Sequence, residues 1–205
     1  MNPAKTWPEC VILGQPSTVD ESVVLGYPPG RRIEQTRLDI GPNAAIRAGT
    51  IIYAGSTIGA DLETGHNVVI REQNTIGDEF RVWNGTTIDY GCTIGNRVKV
   101  HTNCYVAQFT VLEDDVFLAP GVSIANDKYP GQVSPPKLDG PIIRRGAQLG
   151  VNVTVLPGVE IGRDTLVGSG SVVTRNLPAG VVAIGNPARV VSTVKELRRA
   201  QGMED

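Results

Sequence analysis

The sequence contains few of the residues that build metal sites, disulfides or membrane spans. It has two histidines and three cysteines, and no run of eighteen apolar residues occurs in it. A catalytic zinc site of three histidines is therefore excluded, no metal is expected, and a membrane-spanning helix is not predicted. The net charge is −2 with acidic and basic residues interspersed, which does not indicate binding to nucleic acid or to an anionic membrane.

The N-terminus does not indicate secretion, and the cysteines do not indicate catalysis. Residues 1–9 lack the basic-then-apolar pattern of a signal peptide, so a cytoplasmic location is the default expectation. Cys92 and Cys104 occupy repeat positions that hold Ala, Ser or Thr elsewhere, which favours small buried thiols over catalytic ones. The 205 residues are enough for one domain with a sizeable core.

The chain is dominated by a period of six residues. Of the fifteen positions spaced six apart from Ile40 to Ile124, fourteen are Ile, Val or Leu, and Thr64 is the exception. Composition alone would place about four such residues there, and a fixed period is the mark of a repeat architecture. After a break, the period resumes from Ile143 to Val173.

A second period of eighteen residues lies within the first. Glycine follows the aliphatic residue at Gly41, Gly59, Gly77 and Gly95. Three hexapeptides therefore make one triangular coil, and the glycines mark its first corner, which is rich in residues that favour turns. The second corner follows positions such as Val82, and the third follows positions such as Ile88.

The six-residue period is absent from an N-terminal segment, is interrupted by one loop, and ends before a C-terminal segment. Residues 1–37 are irregular and are interpreted as an N-terminal coil that caps the stack. Residues 125–142 form a proline-rich loop insertion, which is expected to be functional. Residues 38–189 form the repeat domain that carries this loop, and residues 190–205 a C-terminal helix and tail, with the helix predicted from Val190 to Ala200.

The second and third corners carry bulky polar and aromatic side chains on successive coils. They form two polar ladders, and convergent polar groups in a cleft are the default candidate for a site. The ladders include Trp83, Asn84 and His101 at the second corner, and Glu72, Asp89, Tyr90, Gln108 and Asn126 at the third. Apart from His101 and Asp89, these residues are predicted to bind the substrate.

The repeat and its closing stretches resemble the hexapeptide acyltransferases. The motifs are Ile-Gly-x-x-small-x, Leu156–Gly162, Gly168–Arg175 and Gly185–Val190. The resemblance implies an all-β, left-handed parallel β-helix that assembles as a homotrimer, with acyl-coenzyme A bound between subunits. The stretches around Val82-Trp83, Val100–Val106, Leu112–Pro120 and Asn126–Pro130 are most similar to N-acyltransferases that act on nucleotide-linked amino sugars.

The implied reaction is attack of an amine on a thioester, which needs a proton acceptor near the amine and donors near the carbonyl oxygen. His101 is the leading candidate base because its ordinary pKa of about 6.5 is nearest the working pH. Asp89 is the alternative acceptor, or an anchor for the amine. In a trimer, the second corner of one subunit could face the third corner of the next, so that both ladders line one cleft.

The resemblance also nominates binding residues. Asn126 and Asp127, at the start of the loop, match the pair that contacts substrate in the family. For coenzyme A the matched positions are Val151, Ser169, Thr174, Arg175 and Arg189. Family members often have an amide residue in place of His101 and a histidine in place of Asn84, so the identity of the base stays open.

Two other functions remain open. The same cleft would serve an O-acetyltransferase that acts on a small alcohol, a sugar or an antibiotic. A non-catalytic β-helix subunit that acts as a scaffold is also compatible with the repeat, because fold does not fix function.

Overall fold

The computed structural model describes residues 7–132, 134–135 and 137–203. Parts of the predicted cap (residues 1–6), loop (133 and 136) and tail (204–205) therefore lie outside the described residues. The described chain runs through three long sheets of very short strands, and one helix follows them. Within the described residues, no helix has the length and apolar character needed to cross a bilayer.

Each coil contributes one strand to each sheet, so neighbours within a sheet are three strands apart in the chain, except at the end of the second sheet, where β25 and β26 follow β23. The first sheet contains β1 (Val11–Leu13), β4 (Leu38–Ile40), β7 (Thr57–Ile58), β10 (Thr75–Ile76), β13 (Thr93–Ile94), β16 (Val111–Leu112), β19 (Ile142–Ile143) and β22 (Glu160–Ile161). The second contains β2 (Thr18–Val19), β5 (Ala45–Ile46), β8 (Glu63–Thr64), β11 (Arg81–Val82), β14 (Lys99–Val100), β17 (Phe117–Leu118), β20 (Gln148–Leu149), β23 (Leu166–Val167), β25 (Val181–Ile184) and β26 (Arg189–Thr193). The third contains β3 (Val24–Tyr27), β6 (Ile51–Tyr53), β9 (Val69–Ile70), β12 (Thr87–Ile88), β15 (Tyr105–Val106), β18 (Ser123–Ile124), β21 (Thr154–Val155) and β24 (Val172–Val173).

The predicted fold class is confirmed: three parallel sheets of short strands form the triangular coils typical of a left-handed β-helix. The periodic positions point inward, as alternation along a strand requires, and all fifteen from Ile40 to Ile124 are at most 3% exposed. Thr64 is tolerated inside because its hydroxyl accepts a hydrogen bond from the Arg47 backbone N–H at 2.9 Å.

The register survives the loop insertion, as predicted. The loop leaves the third corner after Ile124, and the chain re-enters the first sheet with Leu112 paired to Ile143 and Ile143 paired to Ile161. Strand β19 begins at Ile142, so the irregular segment ends one residue before the predicted boundary. The base of the loop is closed by an antiparallel bridge between Asp127 and Leu138.

At each corner, one residue provides the backbone conformation of the turn and another allows the coils to stack closely. The residue three places after most inward aliphatics turns the chain with a positive φ, as at Asp61 (60°) and Arg97 (56°). The glycine directly after the aliphatic instead allows close stacking: a Cβ on Gly41 would lie 2.6 Å from the backbone N of Ala60. These glycines are therefore needed for coil spacing rather than for backbone conformation.

A ladder of side chains also ties successive coils together at the corners. The Ala60 N–H donates to Asp78 Oδ1, the Asp78 N–H to Asn96 Oδ1, and the Asn96 N–H to Asp114 Oδ1, each at 2.8 Å. The repeated Asp and Asn residues thus satisfy backbone donors that the short strands leave free.

The two ends of the stack differ in how they are closed. Strands β1, β2 and β3 pair in parallel with β4, β5 and β6, so the irregular N-terminal segment includes a coil of the stack. Its loop from 28 to 37 lies outside the repeat. At the other end, the predicted helix from Val190 to Ala200 is wrong in its first half, because residues 189–193 form strand β26.

The reason is that β26 is rich in β-branched residues and pairs antiparallel with β25, which closes the end of the second sheet. Helix α1 then covers Val194–Ala200. It starts at Thr193 with a capping box, in which the Thr193 hydroxyl accepts from the Glu196 N–H and the Glu196 carboxylate accepts from the Thr193 N–H.

Replacing Gly41 with alanine is expected to lower the free energy of unfolding by about 1–3 kcal/mol, because the new methyl group would meet backbone atoms that cannot move aside. The matched control is Gly30→Ala, where a Cβ meets nothing within 4 Å. Denaturant unfolding of the two variants and the wild type measures the difference. Equal stability of both variants would contradict this role for Gly41.

Candidate active site

The second corner holds a column of stacked rings. The rings of Trp83 and His101, which follow β11 and β14, lie 4.4 Å apart with an interplanar angle of 12°. The ring of Phe117 in β17 lies 5.0 Å from that of His101 at an angle of 56°. His101 is therefore held between two aromatic side chains from neighbouring coils, which restricts its side-chain rotation.

The backbone of His101 is fixed, but its ring nitrogens are not engaged. Its N–H donates to the Leu118 carbonyl at 2.8 Å, and its carbonyl accepts from the Thr86 hydroxyl at 2.6 Å. Within the described part of the chain, neither imidazole nitrogen makes a hydrogen bond. Both nitrogens are thus available to an external group.

The third corner holds a polar network centred on Asp89, which is 6% exposed. Oδ1 accepts from the Tyr90 N–H at 2.8 Å and lies 3.4 Å from Nη1 of Arg71. Oδ2 accepts from the Tyr105 hydroxyl at 2.8 Å and from Gln108 Nε2 at 2.6 Å. Four protein donors therefore surround one carboxylate, which has about four acceptor positions.

The network continues downward to Glu72, whose side chain is completely buried. Both of its oxygens accept from Arg71, at 3.0 Å each, and Oε1 also accepts from Nε of Arg31 at 2.6 Å. Burial raises the pKa of Glu72, but the hydrogen bonds from Arg71 and Arg31 outweigh that effect and hold the pKa below its ordinary value. Glu72 therefore supports the arginines from behind instead of facing solvent.

The network continues upward to the loop insertion. Asn126 Nδ2 donates to the Gln108 side-chain oxygen at 2.6 Å, and the Asn126 carbonyl accepts from the Asp139 N–H at 2.7 Å. Asp127 caps the following turn, where its Oδ1 accepts from the Tyr129 N–H at 2.9 Å. The start of the loop is thus tied to Asp89 through Gln108.

The residues nominated for coenzyme A lie on two different corners. Val151 and Ser169 are adjacent and exposed at the second corner, where the Val151 N–H donates to Ser169 Oγ at 3.1 Å. Thr174 and Arg175 are exposed at the third corner, after β24, and Arg189 is exposed in β26. Arg189 pairs with Ile184, which borders Gly168, so it lies near the corner of Ser169, whereas Thr174 and Arg175 lie at a different corner.

Asn84 has a structural explanation. Its Oδ1 accepts from the His66 N–H at 2.8 Å, one coil earlier, in the same ladder pattern that links the first corner. The candidate site residues therefore fall into two groups in this chain, the aromatic column with His101 and the polar network around Asp89, and no contact joins His101 to Asp89 within the described residues.

Sequence reasoning did not nominate Tyr105 or Arg31 for the site. Tyr105 is an outward residue of β15, 40% exposed, and burial of its hydroxyl together with its hydrogen bond to Asp89 raises its pKa to about 12. A bulky tyrosine at a position that holds Thr87 and Ser123 on neighbouring coils is a signal that could have indicated it. Arg31 lies outside the repeat, so no period could locate it.

Other polar or titratable groups lie apart from these two groups. A groove of about 420 Å³ on the outer face of the second sheet contains Arg97 and Lys99, but Arg97 is neutralised by Asp115, whose Oδ1 is 2.7 Å from its Nε. Cys92 and Cys104 are buried as predicted, and burial raises the pKa of their thiols to about 12 and about 11. Within the described residues, no cluster of three His, Cys, Asp or Glu side chains is placed to hold a metal ion.

Comparisons with known proteins support the resemblance to hexapeptide-repeat transferases. Residues 140–175 match the family model described as bacterial transferase hexapeptide (six repeats). A galactoside acetyltransferase solved in complex with coenzyme A aligns over 74% of this chain and 68% of its own, with a TM-score of 0.54 and 21% identity, which confirms the fold.

Two curated relatives are similar in sequence. A candidate acetyltransferase of Saccharomyces cerevisiae is 33% identical over 119 residues, which is 51% of this chain and 60% of the relative. A 2,3,4,5-tetrahydropyridine-2,6-dicarboxylate N-acetyltransferase of Clostridium perfringens is 38% identical over 81 residues, 40% of this chain and 32% of the relative. The chain thus spans less than two thirds of either relative, and both are named acetyltransferases.

Glu72→Gln is expected to lower the free energy of unfolding at pH 7 by roughly 1–3 kcal/mol, because two guanidinium groups lose a buried carboxylate. The pKa of Glu72 is depressed by folding, so its stabilisation is present above the unfolded value of about 4.3 and is lost as pH falls through the lower folded value. The difference in melting temperature (Tm) between wild type and variant should therefore shrink below about pH 4. The exposed Glu34→Gln is the control, and a difference that stays constant down to pH 3 would contradict the charged network.

Proposed function

We propose that the protein is an acetyl-coenzyme A-dependent N-acetyltransferase that works as a homotrimer. The observation that carries this proposal is the imidazole of His101, stacked flat on Trp83 with both nitrogens unbonded within the described residues. A ring that is held in place but not hydrogen-bonded is suited to accept a proton from a bound nucleophile. The fold and the named activities of the relatives support the same reaction class.

In the proposed reaction the acceptor amine attacks the thioester carbonyl carbon directly. The new bond joins nitrogen to that carbon, and the bond from carbon to sulfur breaks. A ring nitrogen of His101 takes the proton that the amine loses and delivers it to the departing thiolate, so the products are an amide and coenzyme A. Hydrogen-bond donors near the carbonyl oxygen would stabilise its charge in the transition state.

Asp89 is assigned a different role from His101. Its carboxylate already accepts hydrogen bonds from Tyr90, Tyr105 and Gln108, and Nη1 of Arg71 lies 3.4 Å from it, so an amine proton would have to compete with these donors. We therefore propose that Asp89 fixes the orientation of Tyr105 and Gln108, which face the acceptor. This leaves His101 as the base.

The proposed trimer is supported by the separation of the two groups within one chain. If the second corner of one subunit faces the third corner of the next, the column of His101 lies opposite the network of Asp89, and the cleft between them holds both substrates. The same arrangement would bring Val151 and Ser169 of one chain near Thr174 and Arg175 of its neighbour. The exposed guanidinium groups of Arg175 and Arg189 suit the phosphates of coenzyme A.

The acceptor is proposed to be the amine of a nucleotide-linked amino sugar, from the resemblance of the stretches around Trp83 and Asn126. N-transfer is also the activity in the name of the clostridial relative. The competing candidates are O-acetyl transfer to a small alcohol, sugar or antibiotic and a non-catalytic scaffold. A panel of amino-sugar nucleotides, hydroxylated sugars and chloramphenicol, analysed by mass spectrometry, distinguishes N-transfer from O-transfer.

Acetyl-coenzyme A is expected to raise the Tm of the wild type, because a ligand that binds only the folded state stabilises it in proportion to RT ln(1 + [L]/Kd). At one hundred times Kd the stabilisation is about 2.7 kcal/mol, or roughly 5–10 °C. Differential scanning fluorimetry with and without ligand measures it, with ATP as the control nucleotide. No shift, together with no transfer to any acceptor in the panel, would favour the scaffold.

His101→Ala is expected to lower kcat by about 100-fold or more, the usual loss when a general base is removed, with little change in the KM for acetyl-coenzyme A. The matched control is His66→Ala, which removes the other histidine from an exposed position. Steady-state kinetics at pH 7 and 8 measures both variants. A kcat for His101→Ala equal to that of the wild type would remove His101 from the proposed mechanism.

A further inference from the structure

One side chain from the irregular N-terminal coil reaches the network of the third corner. Arg31 lies in the loop from 28 to 37, outside the repeat, and its Nε donates to Glu72 Oε1 at 2.6 Å. Its Nη2 donates to Gln73 Oε1 at 2.5 Å, and its guanidinium carbon lies 3.6 Å from the centre of the Tyr90 ring. Arg31 thus contacts two successive coils through an ion pair, a hydrogen bond to a neutral amide and a cation–π contact.

The charges along this corner alternate. Arg31 pairs with Glu72, Glu72 also pairs with Arg71, and Arg71 lies 3.4 Å from Asp89. Glu72 is completely buried, so its charge requires compensation from close cations. Without Arg31, one guanidinium would have to serve both Glu72 and Asp89, and the buried carboxylate would draw Arg71 away from Asp89.

We propose that Arg31 is a positioning residue for the acceptor side of the site. By neutralising Glu72 it leaves Arg71 in place to hold Asp89, and by stacking on Tyr90 it fixes the residue next to Asp89 in the chain. The loop from 28 to 37 therefore helps to position the residues of the site, in addition to covering the end of the stack. The kinetic consequence of this role rests on the proposed function, whereas the structural coupling from Arg31 to Asp89 does not.

The coupling is tested without any activity assay. Arg31 and Asp89 do not touch each other within the described residues, so an effect of one on the other must pass through Glu72, Arg71 or Tyr90. We expect the loss of Tm in the double variant Arg31→Ala/Asp89→Asn to be smaller than the sum of the two single losses by about 2 °C or more. Additive losses would overturn the proposal.

Steady-state kinetics of Arg31 variants distinguishes a role in positioning the acceptor site from a role in stabilising the fold alone. Arg31→Ala is expected to lower kcat/KM for the acceptor about tenfold, with the KM for acetyl-coenzyme A unchanged. Arg31→Lys should recover part of this loss, because an ammonium group restores the charge beside Glu72 but not the planar contact with Tyr90 and Gln73. The matched control is Arg32→Ala, an exposed arginine in the same loop, which should leave kcat/KM unchanged.

The outcomes are distinguishable from failure of the proposed function. If Arg31→Ala lowers only the Tm and leaves acceptor kinetics as in the wild type, Arg31 is a structural clamp and the proposal is wrong. If the wild type acetylates no acceptor in the panel, the proposed function fails, and the thermal cycle with Asp89→Asn still decides whether Arg31 is coupled to the third corner.

Discussion

The structure depends on the backbone of each coil lying directly over the backbone of the coil before it. Most strands have only two residues and find their hydrogen bonds in the coils above and below, as Thr75 does with Thr57 and Thr93. A side chain larger than hydrogen at Gly41 would meet the backbone of the neighbouring coil and disturb this contact. The repeat therefore varies least at the stacked inward positions, and the candidate site is built from corner residues, whose side chains vary from coil to coil.

The stacking rule explains why so much of the fold could be predicted from the sequence. Inward positions must be aliphatic, so the six-residue spacing identified the core, and the eighteen-residue spacing identified the coil. The same arithmetic predicted that Ile143 resumes the first sheet after the loop, which the pairing of Leu112 with Ile143 confirms. The C-terminus was misjudged, because the spacing of Val190, Val191 and Val194 fits a helix while the open edge of β25 favours a strand.

The candidate site was predictable in part. Spacing placed Trp83 and His101 on one corner, and Glu72, Asp89 and Gln108 on another, because corner positions repeat with the coil. It could not reveal that Glu72 is buried behind two arginines or that Asp89 accepts three hydrogen bonds, since those facts depend on rotamers and on neighbours from other coils. The role of Arg31 could not be predicted from spacing, because Arg31 lies in a segment that has no repeat.

In the proposed enzyme the second corner would accept the proton and the third would bind the acceptor. The second corner offers a ring that is fixed by stacking and free at its nitrogens. The third offers a network in which the charges of Arg31 and Arg71 are balanced by those of Glu72 and Asp89. Its outer members, Tyr105 and Gln108, are uncharged, and we propose that they contact the acceptor. A cleft that combines both would need two copies of the chain.

A crystal structure of the protein with coenzyme A and an amino-sugar nucleotide bound tests this assignment of roles most directly. The acceptor amine is predicted to lie within hydrogen-bond distance of the His101 ring of one subunit, with the sugar against Tyr105 and Gln108 of the next. An acceptor bound instead in the groove of Arg97 and Lys99, with nothing near His101, would contradict it.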